Sequence, residues 1–464
     1  MSPSKTAHPY IPNSAPVVRE QMLREVGATS IEDFYEDIPQ SLRFQGRLNL
    51  PEPLHSEHAL RHHVEHLLHK NKTASQYLSF LGAGCYQHQV PAVCDEINQR
   101  GEFLTAYAGE PYDDHGRFQA LFEYCSMMGE LLEMDVVNVP VYDGFQAAAT
   151  ALRMACRVTG RNRVLLPDTL GRDKLMKIRD YLKPEIEIVF VEHDPNTGGL
   201  NLEHLEEVLK TGSAAVYFEN PSYLGFLEIH SAEITALAHQ YGALAVVSVD
   251  PISLGVLAPP IRYGADIVCG DIQSLGMHMQ YGGGQAGFIA SQDDEKIVMQ
   301  YPSRLFGIAP TRVPGEYGFG DVAYDRTSFA KREAGNEWVG TAAALWGITA
   351  GVYLALMGPQ GMREIGEGIL YRTCYAMQEI GKLKGVRTDV ISAPFFREFI
   401  VNFDDTGKTT AEINAALLQK GIFGGKDLSR ECPWLGQSSL VCVTEVHTRE
   451  DIDRLVSSLQ EVLS

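Results

Sequence analysis

No lysine occurs between Lys210 and Lys296 of this chain, so that long stretch carries no primary amine able to form an imine. Positive charge is scarce elsewhere too. Against 59 Asp and Glu stand only 39 Lys and Arg, leaving a formal net charge of −20. Such a balance argues against a duplex nucleic-acid partner, which would want a basic face, and it identifies no partner by itself. The eight cysteines form no CxxC pair, which argues against a zinc ribbon or a dithiol redox motif. They read as reduced, mostly buried thiols suited to the cytosol, and a cytoplasmic location is expected. The opening MSPSKTAHPYIPNS lacks an apolar core, so secretion is not expected. Long uncharged runs are equally rare. The exception, residues 339–358 (VGTAAALWGITAGVYLALMG), is isolated and rich in Gly and Ala, and it reads as a buried helix and not as a membrane span.

What is present points to a large globular protein. A chain of 464 residues that is 45% hydrophobic can bury a sizeable core and should divide into lobes. The first stretch is polar and helical, broken by Pro39, Pro51 and Pro53. From about residue 139, short β-branched runs recur: RVLLPD, EIVFVEHD, AAVYFENP, ALAVVSVD and DIVCGD. Helix-like segments such as LEHLEEVLK and SAEITALAHQYG separate the first four. Strands alternating with helices predict a mainly parallel sheet covered on both faces. Most of these strands end in Asp, Glu or Asn, at the edge where open α/β sheets bind ligands. Beyond residue 358 come a helix at 359–383, an extended run FFREFIVNF, a helix at 410–420, a strand SLVCVTEV and a closing helix with Thr448 as its N-cap. The expected organisation is an N-terminal helical arm over residues 1–75, a large α/β domain over 76–345 and a smaller C-terminal α+β domain over 346–464.

Four constellations stand out. Asp250 closes the run ALAVVSVD, where it can either pair with a ligand at the sheet edge or simply cap the turn at Pro251. Asp143-Gly144 opens a helical run, and free N–H groups at such a junction suit a phosphate; an ordinary loop-to-helix junction has the same look. His55, His58, His62, His66 and His69 share a helical stripe beside His63. No cysteine or carboxylate set completes a metal site there, so a solvated helix face is the expectation and no metal is assigned. The segment 81–86 (LGAGCY) lacks the GxGxxG pattern and reads as a tight backbone turn packed against something. No Ser–His–Asp motif emerges and no catalytic residue is assigned.

Residues 243–287 place a strand ending in Asp250, a second strand GADIVCGD, a polar turn and the glycines Gly282, Gly283 and Gly284 in succession. This order resembles the core of pyridoxal-phosphate enzymes, in which the turn carries the Schiff-base lysine. Here the turn reads Ile272-Gln273-Ser274-Leu275-Gly276, without one. The segments SFLGAGCYQHQVPAV (79–93), QALFEYCSMMGELLEMDVVNVPVYDG (119–144), VSVDPISLGVLAPP (247–260), GADIVCGDIQSLGMHMQYGGG (264–284), GIFGGKDLS (421–429) and LVCVTEVHTREDIDRLV (440–456) resemble the P-protein of the glycine cleavage system. They are most similar to the alpha subunit of its split form.

That resemblance implies the pyridoxal-phosphate-dependent transferase fold (fold type I) and a chain whose lysine position falls near Ser274 or Leu275. It implies a lysine-bearing beta subunit that carries the pyridoxal phosphate, an α2β2 tetramer, and lipoylated H-protein as the acceptor of the aminomethyl group left when glycine is decarboxylated. Asp250, Asp143 and Gly144 would be vestiges of a cofactor site. The segment from Thr105-Ala106-Tyr107 would approach the partner's cofactor. Neither nucleic acid nor membrane is an expected partner. The chain departs from the family pattern at residues 108–116 and 326–336. Those departures leave open a related decarboxylase for another amino acid, or a regulatory chain without chemistry.

Overall fold

Alternation of side chains builds the main sheet between two core layers. In the strand Arg163–Pro167, Leu165 enters one layer while Val164 and Leu166 enter the other. The same holds in Ala215–Glu219, where Val216 and Phe218 oppose Ala215 and Tyr217, and in Ile267–Asp271, where Val268 opposes Ile267 and Cys269. A period of two with both faces apolar is the signature of a strand buried on both sides. The computed structural model describes residues 10–44, 46, 48–104, 115–283, 285–303, 305–322, 324–336 and 343–464. The segment beginning at Thr105 and most of the departure at 108–116 lie outside the described residues.

Seven strands form this sheet: β1 (Val136–Val137), β2 (Arg163–Pro167), β3 (Glu187–Val191), β4 (Ala215–Glu219), β5 (Leu244–Val249), β6 (Ile267–Asp271) and β7 (Gly287–Ser291). Their spatial order is β1-β7-β6-β5-β4-β2-β3. The pairs β2–β3, β2–β4, β4–β5 and β5–β6 are parallel, while β7 runs antiparallel to both β6 and β1. The helix Gly144–Thr159, with ten buried residues, covers one face together with Arg172–Leu182. The other face lies under residues from His115–Leu132, Leu202–Leu209, Ser231–Gln240 and Ala344–Ile380. This is the α/β, mainly parallel architecture of fold-type I pyridoxal-phosphate-dependent transferases.

The uncharged run of 339–358 enters the helix Ala344–Ile380, with Ile348, Ala350, Tyr353 and Leu354 buried. Gly358 breaks helical geometry at φ +58, directly before Pro359, which fits the sequence reading of two helical pieces meeting there. No helix among the described residues is long and apolar enough to cross a membrane. Farther on, three antiparallel strands, β8 (Glu398–Asn402), β9 (Lys426–Asp427) and β10 (Ser438–Cys442), lie in the order β8-β10-β9. Phe399, Val401 and Val441 pack with Ile413 and Leu417 and with Ile452, Leu455 and Leu459 from the helices Thr410–Gln419 and Arg449–Leu463. Thr448 caps the closing helix in a full capping box with Asp451.

Residues to Asn71 form one compact unit and those from Lys72 another. The first holds the short helices Pro16–Glu25 and Glu57–Leu68, and none of its described residues is buried. Of the histidine stripe, His58, His62 and His66 ride on the second of these helices, with the rings of His58 and His62 6.3 Å apart, while His55 precedes the helix and His69 is its C-cap. Among the described residues no group of three or more His, Cys, Asp or Glu is placed to hold a metal ion.

Candidate active site

The carboxyl ends of β4, β5 and β6 deliver Glu219, Asp250 and Asp271 to one cavity of about 110 Å3. The start of the helix Gly144–Thr159, Lys174, Tyr223, Lys426, Tyr86 and the turn residues Gln273 and Ser274 complete its wall. The position at the strand ends follows from the topology, since parallel strands leave their polar termini at one edge.

Asp250 does two things there. One oxygen accepts from the Ile252 N–H at 3.1 Å, which is the plain turn-capping role. The other oxygen pairs with the guanidinium of Arg397. Arg397 begins the approach to β8 in a left-handed conformation (φ +59), and its side chain is only 2% exposed. Its guanidinium stacks on the Tyr86 ring, 3.8 Å from the centroid, and donates to Nε2 of His88 at 2.6 Å. Since an arginine only donates, that ring nitrogen is the acceptor, and Nδ1–H donates to Glu445 at 2.8 Å. Burial, opposed by Glu445 and helped by the Arg397 charge, keeps the His88 pKa below its usual value. The result is an ordered row of Asp250, Arg397, His88 and Glu445, in which the imidazole joins the Asp250–Arg397 pair to a second carboxylate.

Asp143 is the N-cap of its helix, accepting from Gln146 N–H at 2.7 Å while its second oxygen pairs with Lys177. Gly144 places its N–H 2.8 Å from Asp271, and a Cβ on Gly144 would stand 2.9 Å from the Cβ of Asp271. Asp271 also accepts from Gln273 N–H at 2.8 Å and from the backbone of Ala286. Desolvation pushes the Asp271 carboxyl up to about 7 against those three N–H groups, with Asp143 adding to the rise.

The polar turn holds no amine. Ser274 sends its hydroxyl towards Asp250 at 3.4 Å, and Gln273 clamps the backbone of Tyr86 in both directions, accepting at 3.0 Å and donating at 2.9 Å. Two lysines do line the cavity, Lys174 and Lys426. Lys174 pairs with Glu219 and Lys426 with Glu431 at 2.9 Å. Burial works against the charge of Lys174, but Glu219 and Tyr217 outweigh it and hold the ammonium above the ordinary lysine pKa. A cation held this firmly is not a nucleophile.

Sequence reasoning reached Asp250, Asp143 and Gly144; the structure places Asp250 and Gly144 in the cavity lining and Asp143 just outside it, as the cap of the helix that Gly144 opens. It missed Arg397, Asp271, Lys174 and Glu219. A signal for Arg397 existed in the charged pair Arg397-Glu398 inside the apolar run FFREFIVNF, since buried charges are rare without a partner. The segment 81–86 is indeed packed closely: the Ala83 N–H donates to Glu398 at 2.6 Å, and a Cβ on Gly82 would meet that carboxylate at 2.4 Å.

The residues present do not fit pyridoxal phosphate. The helix N-terminus that would hold its phosphate is turned on the carboxylate of Asp271, and the acid that would face its ring nitrogen is paired with Arg397.

Comparison with known proteins gives a consistent answer. The family described as the glycine cleavage system P-protein matches residues 8–459. A protein of Staphylothermus marinus named "Probable glycine dehydrogenase (decarboxylating) subunit 1" is 38% identical over 467 residues, covering 99% of each chain. The crystal structure of a glycine decarboxylase (P-protein) of the glycine cleavage system, in inhibitor-bound form, superposes with a TM-score of 0.82 at 34% identity, covering 96% of this chain and 98% of that one. A sphingosine-1-phosphate lyase of Burkholderia pseudomallei shares the fold at a TM-score of 0.66 and 13% identity, covering 92% of this chain and 94% of that one.

Proposed function

We propose a function from one established premise: this chain belongs to the glycine cleavage system P-protein family. It serves as subunit 1 of a glycine decarboxylase, in the role of the alpha subunit that carries no Schiff-base lysine. The observation that carries this reading is the amine-free turn at Gln273-Ser274 beside two lysines already bound in ion pairs. Chemistry then falls to a lysine-bearing beta subunit, on which the pyridoxal phosphate is expected. There glycine would lose its carboxylate as CO2 and its aminomethyl group would pass to the lipoyl arm of H-protein, whose disulfide takes up the electron pair. An α2β2 assembly in the cytoplasm is the arrangement proposed for the pair.

In this reading Asp250, Asp143 and Gly144 are vestiges of a cofactor site now serving structure. Asp250 and Asp143 cap turns, and Gly144 leaves room for Asp271. The arm to residue 75, the large domain to 345 and the small domain to 464 remain the proposed division of labour along the chain.

Glycine–bicarbonate carboxyl exchange with lipoylated H-protein tests the proposal, using this chain alone, the lysine-bearing partner alone and the two together. Exchange by the mixture only is the expected result. Exchange by this chain alone would remove the argument from the missing amine. A cofactor-loaded mixture that exchanges another amino acid but not glycine would move the substrate.

A further inference from the structure

Each charged end that pyridoxal phosphate would present is matched by a group this chain already holds in place. At one end is the N-terminus of the 16-residue helix Gly144–Thr159, a natural seat for an anion. The carboxylate of Asp271 occupies that seat, taking N–H bonds of 2.8 Å from Gly144 and from Gln273 and a third from Ala286. Gly144 is the residue that permits so close an approach, because any Cβ there would collide with Asp271. At the other end Arg397 pairs with Asp250. Its guanidinium is planar and cationic like a protonated pyridine, and it stacks on Tyr86 as a ring would. His88 and its Glu445 partner fix the far side of that guanidinium.

We propose that Asp271 and Arg397 are built-in substitutes for the phosphate and the pyridinium, and that they exclude the cofactor from this chain independently of the missing lysine. An entering phosphate would meet the Asp271 carboxyl group and find the Gly144 N–H taken by Asp271 and the Gln146 N–H by Asp143. An entering pyridinium would meet a buried guanidinium and find its carboxylate taken. Asp271 and Arg397 are therefore specificity-determining residues of the assembly: they direct the cofactor to the partner subunit. The inference deepens the reading of this chain as the lysine-free subunit and rests on it.

The test restores the amine and asks whether the cofactor follows. The full chain, Ser274→Lys, and Ser274→Lys combined with Asp271→Ser and Arg397→Met are incubated with pyridoxal phosphate and reduced with borohydride. Mass spectrometry then reads the cofactor mass on the peptide that spans position 274. The parent and Ser274→Lys are expected to gain nothing at that peptide, and the triple variant to gain one equivalent. Labelling of Ser274→Lys at that peptide would overturn the proposal, as would a triple variant that melts cooperatively yet stays unlabelled. Because loss of a buried guanidinium can unfold the chain, Asp271→Ser is also examined alone by thermal melting in inorganic phosphate. Its melting temperature should rise with phosphate more than the parent's does, and an equal response overturns the proposal. None of these readouts involves glycine, so failure of the exchange assay and failure here are separately visible.

Discussion

At the scale of single residues, Asp271 carries a consequence for pH. Its pKa is raised in the folded chain from the ordinary carboxyl value of 3.8 to about 7, so between those values the native state holds a proton that the unfolded chain releases. The stabilising proton is fully present below the unfolded value and is lost as pH rises through about 7. Asp271→Asn has no such proton to lose. Its unfolding free energy relative to the parent should therefore rise from pH 4 to pH 7, by at most ~1.4 kcal/mol per pH unit, and level off above that. Denaturant titrations of both proteins across this range check it, and a flat difference would show that the carboxyl titrates normally. Three other acids at or beside the cavity are tied to cations: Asp250 to Arg397, Asp143 to Lys177 and Glu219 to Lys174.

At the scale of elements, the turn after β5 bears directly on the long helix Ala344–Ile380. A Cβ at Gly255 would stand 2.1 Å from the backbone oxygen of Met362, one turn past the break at Gly358. Main-chain atoms inside a helix have no rotamer through which to yield, so contact must be relieved by moving the helix or the turn. Gly255→Ala is expected to cost about 1–3 kcal/mol, with a reduced melting temperature and little change in far-UV circular dichroism. A comparable substitution at Gly407, where a Cβ meets nothing within 4 Å, suffers only the strain of its positive φ and serves as the control. The turn in question starts with Asp250-Pro251, so the same short segment that presents the carboxylate also sets the seating of the helix.

At the scale of the whole molecule, the two compact units differ in what can hold them together. Both layers of the main core and the C-terminal core lie within residues 72–464, whereas no described residue before Lys72 is buried. A fragment spanning 72–464 should unfold cooperatively, and residues 1–71 alone should show no cooperative transition, because isolated helices of ten or twelve residues are marginal in water. A sharp melt of the short fragment would show a core that these side chains do not form. This contrast was partly legible in the sequence, where prolines and polar helices mark the arm. The sheet was legible in detail, because doubly buried strands such as RVLLP announce themselves by composition and by their acidic ends. The cavity was legible on its sheet side only. Asp250 and Gly144 lie in recognisable junctions, but Arg397 reaches Asp250 across 147 positions of sequence (397 − 250), a pairing that no local pattern encodes. Asp271 was quoted as a strand end, yet its role depends on Gly144 approaching from another strand's loop, which periodicity cannot disclose.

The self-occupied cavity has a meaning for descent. A chain that merely lost a lysine could regain function by one substitution, and drift in either direction would be cheap. Here a returning amine would enter a cavity whose acid and anion seat are both taken, and removing Arg397 first would leave the Asp250 carboxylate without its cation. Every single step back is neutral at best or harmful, so the loss behaves as a ratchet. The site can thereby keep its shape while staying closed to the chemistry its architecture once served.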